Sequence, residues 1–247
     1  MDHRLQFDIL RQPDNTTCGP TCLHAVYRYF GTELPLPQVI QETSALQEGG
    51  TLAVMLGCHA LRRGFDASID TFNLQVFDPT WFLPNGDLKD RDFVIDRLRL
   101  QASSKDRPKL KVACDVYTEF LELGGRIRME DLNGHLLRRY LKQDVPMLTG
   151  LSATFLYRES REIGATCTPD DVRGEPSGHF VVLCGYDKEK RSVLIADPWH
   201  PNPLSANHLY SVDLDRVICS ILLGIVTYDA NLLVIRPVAT QRKRSAG

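Results

Sequence analysis

A basic surplus is missing. The chain carries 29 Lys and Arg against 31 Asp and Glu, a net charge of −2. No basic stripe with interleaved aromatics runs along it, which argues against a nucleic-acid partner. Long apolar runs are missing too. The most apolar late stretch, Val217 to Val226, contains Gly224 and falls short of the roughly 20 residues a bilayer-spanning helix needs. No membrane partner is expected. Met1-Asp2-His3-Arg4-Leu5 lacks the apolar centre of a signal peptide. No glycine-rich loop ends in Gly-Lys-Ser/Thr to hold a phosphate, and no Cys-x-x-Cys marks a redox pair. Seven cysteines, an odd number without secretory signals, predict free thiols in a reducing compartment; the expected location is cytoplasmic. Hydrophobic content of 43% and charged content of 24% are those of an ordinary globular chain.

What is present is organised around Gln12-Pro13-Asp14-Asn15-Thr16-Thr17-Cys18-Gly19-Pro20-Thr21-Cys22-Leu23. Beyond Cys18, the apolar positions Cys22, Leu23, Val26 and Phe30 recur at helical spacing, with Gly31 as a stop. Pro20 suits a first helical turn, where a missing N–H costs little. The spacing puts Cys18 near the positive end of a helix dipole, a setting that favours thiolate over thiol. Gln12 lies close enough upstream to offer its amide to an oxyanion. A base is then needed, and Gly178-His179-Phe180-Val181-Val182 supplies the best candidate. Ile195-Ala196-Asp197-Pro198 follows it.

Each residue also has a plainer reading. Cys18 alone would more often be a core cysteine, Gln12 a solvated loop residue, His179 a structural histidine and Asp197 a turn residue before Pro198. Cys18 and Cys22 stand four apart, as two zinc ligands can, but Cys22 fits the buried helix face and no further ligands present themselves. Cys58-His59 falls in an ordinary helical pattern, and His200 and His208 read as solvated. Trp199, beside Asp197, suits either a loop anchor or a shield over the site.

Taken together and in order, these residues resemble the papain superfamily, most closely the peptidases that remove double-glycine leaders from bacteriocins. The likeness covers about residues 5–75 and 135–235. It implies an α+β papain-like fold, with a helical half carrying the cysteine and an antiparallel sheet carrying the histidine and aspartate. It implies Cys18 as nucleophile, His179 as general base and acid, Asp197 as orienting carboxylate and Gln12 as oxyanion donor. Gly178 and Trp199 are candidates for substrate contact. The implied reaction is cleavage of a peptide or amide bond through an acyl-Cys18 intermediate, on a peptide or protein substrate, with no metal or organic cofactor. Two features depart from the leader peptidases: transporter and ATPase segments are absent, and Asp197-Pro198 runs into Trp199-His200-Pro201. Papain-like acyltransferases such as phytochelatin synthase share the chemistry as far as the acyl-enzyme, so acyl transfer remains open. So does a non-catalytic peptide-binding role.

Along the chain, one domain is expected over 1–235, with a helical insertion at about 76–134 and a basic, disordered tail at 236–247. A strand is expected from Leu5 to Leu10, then helices from Cys18, Pro35, Thr51, Asp92, Val116 and Leu132. Strands are expected at Phe65–Ile69, Val145–Thr149, Phe180–Tyr186, Ser192–Ala196 and Leu232–Ile235, with a short helix near Leu214–Leu222. Arg158 to Gly178 reads as a lid. A three-residue loop pairing Tyr186 with Lys190 would set His179 directly opposite Asp197.

Overall fold

The computed structural model describes residues 2–46 and 49–238. The chain begins with strand β1 (His3–Arg4) and then builds a helical half from α1 (Cys18–Tyr29), α2 (Leu36–Glu42) and α3 (Ala53–Arg62). Glycines end two of these helices where only a left-handed residue closes the turn: Gly31 has φ +76° and Gly64 φ +78°. The chain continues through β2 (Phe65–Thr71), α4 (Arg91–Ser104), α5 (Pro108–Glu122) and β3 (Arg126–Arg128). Asp90 caps α4 through Phe93 N–H at 2.7 Å.

Segment 76–134 is helical, as its sequence suggests, but it also lends a strand to the sheet. β3 runs parallel to β2, and Val94, Leu98, Leu110 and Phe120 are buried in the same hydrophobic cluster as Leu23 and Leu56.

The second half comprises α6 (Gly134–Leu141), β4 (Met147–Ser152), α7 (Ala153–Tyr157), the short pair β5 (Glu162–Ile163) and β6 (Thr168–Pro169), β7 (Gly178–Asp187), β8 (Ser192–Ala196), β9 (Leu209–Asp213), α8 (Leu214–Leu223) and β10 (Asn231–Pro237). The main sheet is ordered β3-β2-β10-β4-β7-β8-β9, with β1 also on β7. Every residue of β7 after Gly178 is buried, which accounts for its unbroken apolar run.

Two expectations are corrected. Leu5 to Leu10 is not a strand. Leu5, Phe7 and Ile9 are buried in alternation, but only His3 and Arg4 pair with β7, because β4 holds that flank over Gly178–Leu183. The Pro/Asn-rich region after Asp197 contains β9, which was missed. Arg158–Gly178, the segment read as a lid, contains the β5/β6 pair. The basic run Gln241–Arg244 lies outside the described residues.

The β7/β8 hairpin decides the geometry of the site. Tyr186 pairs with Val193 and Asp187 with Ser192, leaving residues 188–191 as an even-length loop rather than the odd one expected. That register, continued, would send Asp197 to the face opposite His179. Between Leu183 and Gly185 the register shifts, so that Leu183 faces Ile195 and Val182 faces Ala196. The extra residue, Cys184, restores the parity. Continuing the shifted register puts Val181, not His179, opposite Asp197, and His179 becomes its diagonal neighbour on the same face.

Candidate active site

Helix α1 brings its first residue, Cys18, against β7. Gly19 permits the approach: a Cβ there would stand 2.5 Å from Thr51 Cγ2 and 3.3 Å from the Phe180 ring. One turn on, buried Cys22 donates its thiol to Phe180 O at 3.2 Å. Burial holds that thiol protonated, so Cys22 packs and does not ligate.

His179 is 3% exposed and binds Asp197 Oδ1 through Nε2 at 2.8 Å. Nδ1 is the ring nitrogen that this bond leaves over, and the Cys18 side chain is among the groups that act on the imidazole. Burial alone would lower the basicity of this imidazole. The Asp197 charge and the hydrogen bonds to Asp197 and Cys18 outweigh it, and the group is pushed up.

Asp197 is fully buried yet crowded with donors. Besides His179 it accepts from Tyr157 OH (2.6 Å), Asn202 Nδ2 (2.8 Å), Trp199 N–H (2.9 Å) and Tyr210 OH. Burial pushes its carboxyl up, but the His179 charge and these hydrogen bonds win and hold it at about 2. Both tyrosine hydroxyls are driven above their ordinary range by burial and by the same carboxylate, so they stay protonated and donating. The backbone is fixed as well: Asp197 N–H donates to His208 O at 2.9 Å, and His208 Nδ1 lies 2.7 Å from Asp197 O.

Tyr157, Asn202 and Tyr210 carried no signal in the sequence. They come from the end of α7, from a loop and from β9, and no spacing links them to Asp197.

The other candidates fall around this centre. Trp199 stands edge-on to the His179 ring at 5.5 Å and to Tyr157 at 6.0 Å, shielding the imidazole on one side. Gln12 N–H donates to Pro198 O at 3.0 Å, tying the loop before Cys18 to the chain after Asp197. Its Nε2 donates to Asp14 O at 2.7 Å, which leaves the second amide hydrogen. Gln12, Asn15, Trp199 and His200 help to line a small cavity of about 70 Å³. His200 and His208 are therefore not solvated surface residues: both are half-buried, with rings 5.2 Å apart.

Gly178 lies against the Thr227 side chain. A Cβ there would meet Thr227 Oγ1 at 2.9 Å. The 158–178 segment touches the Cys18 loop, with Asn15 Nδ2 3.8 Å from Cys167 Sγ. His59 is a core residue bonded to Tyr27 OH (2.8 Å) and Glu42 (3.2 Å). No cluster able to hold a metal occurs among the described residues.

The chain is similar in structure to a double glycine motif protease from an AMS/PCAT transporter, solved in complex with the leader peptide. Identity is 12%, 96% of each chain is covered and the TM-score is 0.44. It is likewise similar to the peptidase domain of Streptococcus ComA, a bi-functional ABC transporter involved in a quorum sensing pathway, at 12% identity. There 94% of this chain and 99% of that one are covered, with a TM-score of 0.43. No curated protein matches in sequence. Residues 117–215 match the Peptidase_C39 like family, a segment that includes His179 and Asp197, stops short of Cys18 and Gln12, and begins inside the region expected to be an insertion. The chain has an α+β architecture of a helical half and a mostly antiparallel sheet, and over residues 117–215 it resembles the Peptidase_C39 like family.

Proposed function

We propose that the protein is a cysteine peptidase that cleaves a peptide or amide bond through an acyl-Cys18 intermediate. The observation that supports this best is one imidazole bonded at 2.8 Å to a buried carboxylate, with a thiol at a helix start among the groups that raise it. Cys18 transfers its proton to His179 Nδ1, and the thiolate adds to the scissile carbonyl carbon. The Cys18 backbone N–H and the free Gln12 amide hydrogen receive the negative charge on the carbonyl oxygen. His179 returns the proton to the leaving amine, the C–N bond breaks, and the acyl-thioester remains. Water, deprotonated by His179, then attacks the thioester, and Cys18 leaves as thiolate. Asp197 holds the Nε2–H tautomer throughout.

The substrate class is peptide. Gly178 and Trp199 border the site and are assigned to substrate contact. A mass-spectrometric peptide screen comparing native protein with Cys18→Ala tests the reading; cleavage persisting in the alanine variant would overturn it. Adding a primary amine separates hydrolysis from acyl transfer by the mass of the product. Iodoacetamide at pH 6 is expected to label Cys18 ahead of exposed Cys219 and half-buried Cys167. Gln12→Ala is expected to lower kcat by about 10²–10³ with little change in KM.

A further inference from the structure

Far from Cys18, at the other end of β7, the sheet and α6 enclose a second concave surface. Tyr186 stands seven residues beyond His179 on one strand, about 24 Å away at roughly 3.4 Å per residue. A cavity of about 730 Å³ opens there, lined among others by Arg138, Leu141, Lys142, Tyr186 and Lys188. A second cavity, of about 340 Å³, shares His135, Arg138 and Tyr186 with it. The two form one trough, with the Arg138–Tyr186 pair as the saddle between them.

The basic lining comes from one side of a helix. His135, Arg138, Arg139 and Lys142 lie at i, i+3, i+4 and i+7 along α6 and its cap. Leu136, Leu137, Tyr140 and Leu141 turn into the core. Several of the nearby cations are already neutralised: Arg139 forks onto Glu130 at 2.7 and 2.8 Å, and Arg191 meets Asp215 at 3.0 Å. His3 meets Asp144 at 3.2 Å. Arg138, Lys142 and Lys188 have no carboxylate partner among the described residues. Asp2, the acid beside them, accepts from Lys188 backbone N–H at 2.7 Å.

Arg138 is also pre-set. Its guanidinium lies 5.1 Å over the Tyr186 ring and donates from Nη1 to Tyr186 OH at 3.2 Å. A guanidinium held in one orientation loses little freedom on binding a carboxylate, and it binds one with two parallel hydrogen bonds.

We infer that this trough docks an extended acidic peptide, whose carboxylates meet Arg138, Lys142 and Lys188. The volume of the two joined cavities, about 730 and 340 Å³, suits several residues of a peptide better than a lone anion. The site is independent of the cysteine chemistry and does not rest on it.

The test is fluorescence anisotropy with a labelled twelve-residue peptide of alternating Glu and Leu, measured against Cys18→Ala protein so that no cleavage intervenes. Saturable binding that weakens as salt rises is expected. A loss of about tenfold or more is expected for the exposed double variant Lys142→Glu/Lys188→Glu, and a further loss for Arg138→Gln. Circular dichroism melting of each variant checks that it remains folded. The Lys142→Gln/Lys188→Gln pair, which only removes charge, is expected to give an intermediate loss. Absence of binding at low salt would overturn the proposal, as would equal binding by folded charge-reversed protein. Tighter binding to phosphatidylglycerol vesicles than to the peptide, abolished by the same variants, would assign the trough to a membrane surface instead and also overturn it.

Discussion

Two aspartates are buried in this molecule with opposite consequences. Asp197 is fully buried and Asp229 is 5% exposed. Five donors reach the Asp197 carboxylate, whereas Asp229 receives the Ala53 N–H at 3.3 Å, at the first residue of α3. The first is held down at about 2. The second is pushed up to about 7, because burial outweighs that one hydrogen bond and the more distant Lys109. Asp70 falls on the same side as Asp229: it is buried, accepts from Tyr140 OH at 2.6 Å and is raised. Burial alone therefore does not set the charge of a carboxyl group. The number of hydrogen atoms aimed at it, and a charged neighbour, do. Asp197 is built to stay ionised beside His179, whereas Asp229 is nearer to a neutral hydrogen-bonding group that fits under Gly150, where a Cβ would lie 2.6 Å from Asp229 Cγ.

The comparison can be broken most violently at Asp197. Asp197→Asn keeps the shape but loses the charge and the tautomer control, and kcat is expected to fall by about 10⁴. The alkaline limb of the kcat/KM profile should also move to lower pH, since the carboxylate is what raises His179 above its ordinary range. A profile that keeps its alkaline limb would separate His179 from Asp197.

Next in size is removal of both hydroxyl donors. Tyr157→Phe/Tyr210→Phe is expected to move acid unfolding to higher pH. A depressed carboxylate contributes stability that is present above its ordinary value of 3.8 and lost as pH falls through about 2. With fewer donors the folded value climbs toward the ordinary one, and that contribution shrinks. Acid titration followed by circular dichroism reads this directly, and an unchanged midpoint would mean that the remaining donors suffice.

Asp229→Asn is expected to do the opposite. A folded value raised to about 7 contributes stability that is fully present below about 3.8 and lost as pH rises through about 7. The asparagine keeps an acceptor for Ala53 N–H and never ionises. Its Tm should exceed that of the native protein at pH 8, on the order of several degrees, and match it more closely at pH 5. The smallest effect is expected from Tyr210→Phe alone: about tenfold in kcat, the scale of one hydrogen bond to a charged group.

Much of the site could be read from the sequence because its signals are local. Cys18 begins α1 as the Gln12–Leu23 stretch indicates, and His179 starts the apolar strand it was read beside. The helices at Ala53 and Gly134 likewise follow from apolar spacing, the first closed by Gly64, and those at Leu36 and Arg91 begin within a residue of the expected starts. The Leu5–Leu10 segment misled because alternation reports burial of a face and not a hydrogen-bonded partner. β9 was missed because Asn and Pro around residues 201–207 resemble loop chemistry, while its own short alternation, Tyr210 and Val212, is too brief to stand out. The even-length turn was misjudged for want of an Asn-Gly or Asp-Gly. Asp187 instead caps the loop through Lys190 N–H at 3.0 Å, and Arg191 takes the left-handed position at φ +47°.

By itself the sequence determined which residues could do the chemistry: a thiol at a helix start, a histidine at the head of a buried strand and an aspartate at the end of the next. Periodicity and turn chemistry are properties of neighbouring residues, so those features survive without a fold. Whether His179 and Asp197 share a face was decided only by tertiary structure. An even loop and one extra residue at Cys184 cancel, and each is invisible until two strands are paired. The same holds for Tyr157, Asn202 and Tyr210, which reach one carboxylate from three separate parts of the chain. Contacts between residues distant in sequence leave no periodic trace, because the chain fixes them by packing and not by spacing.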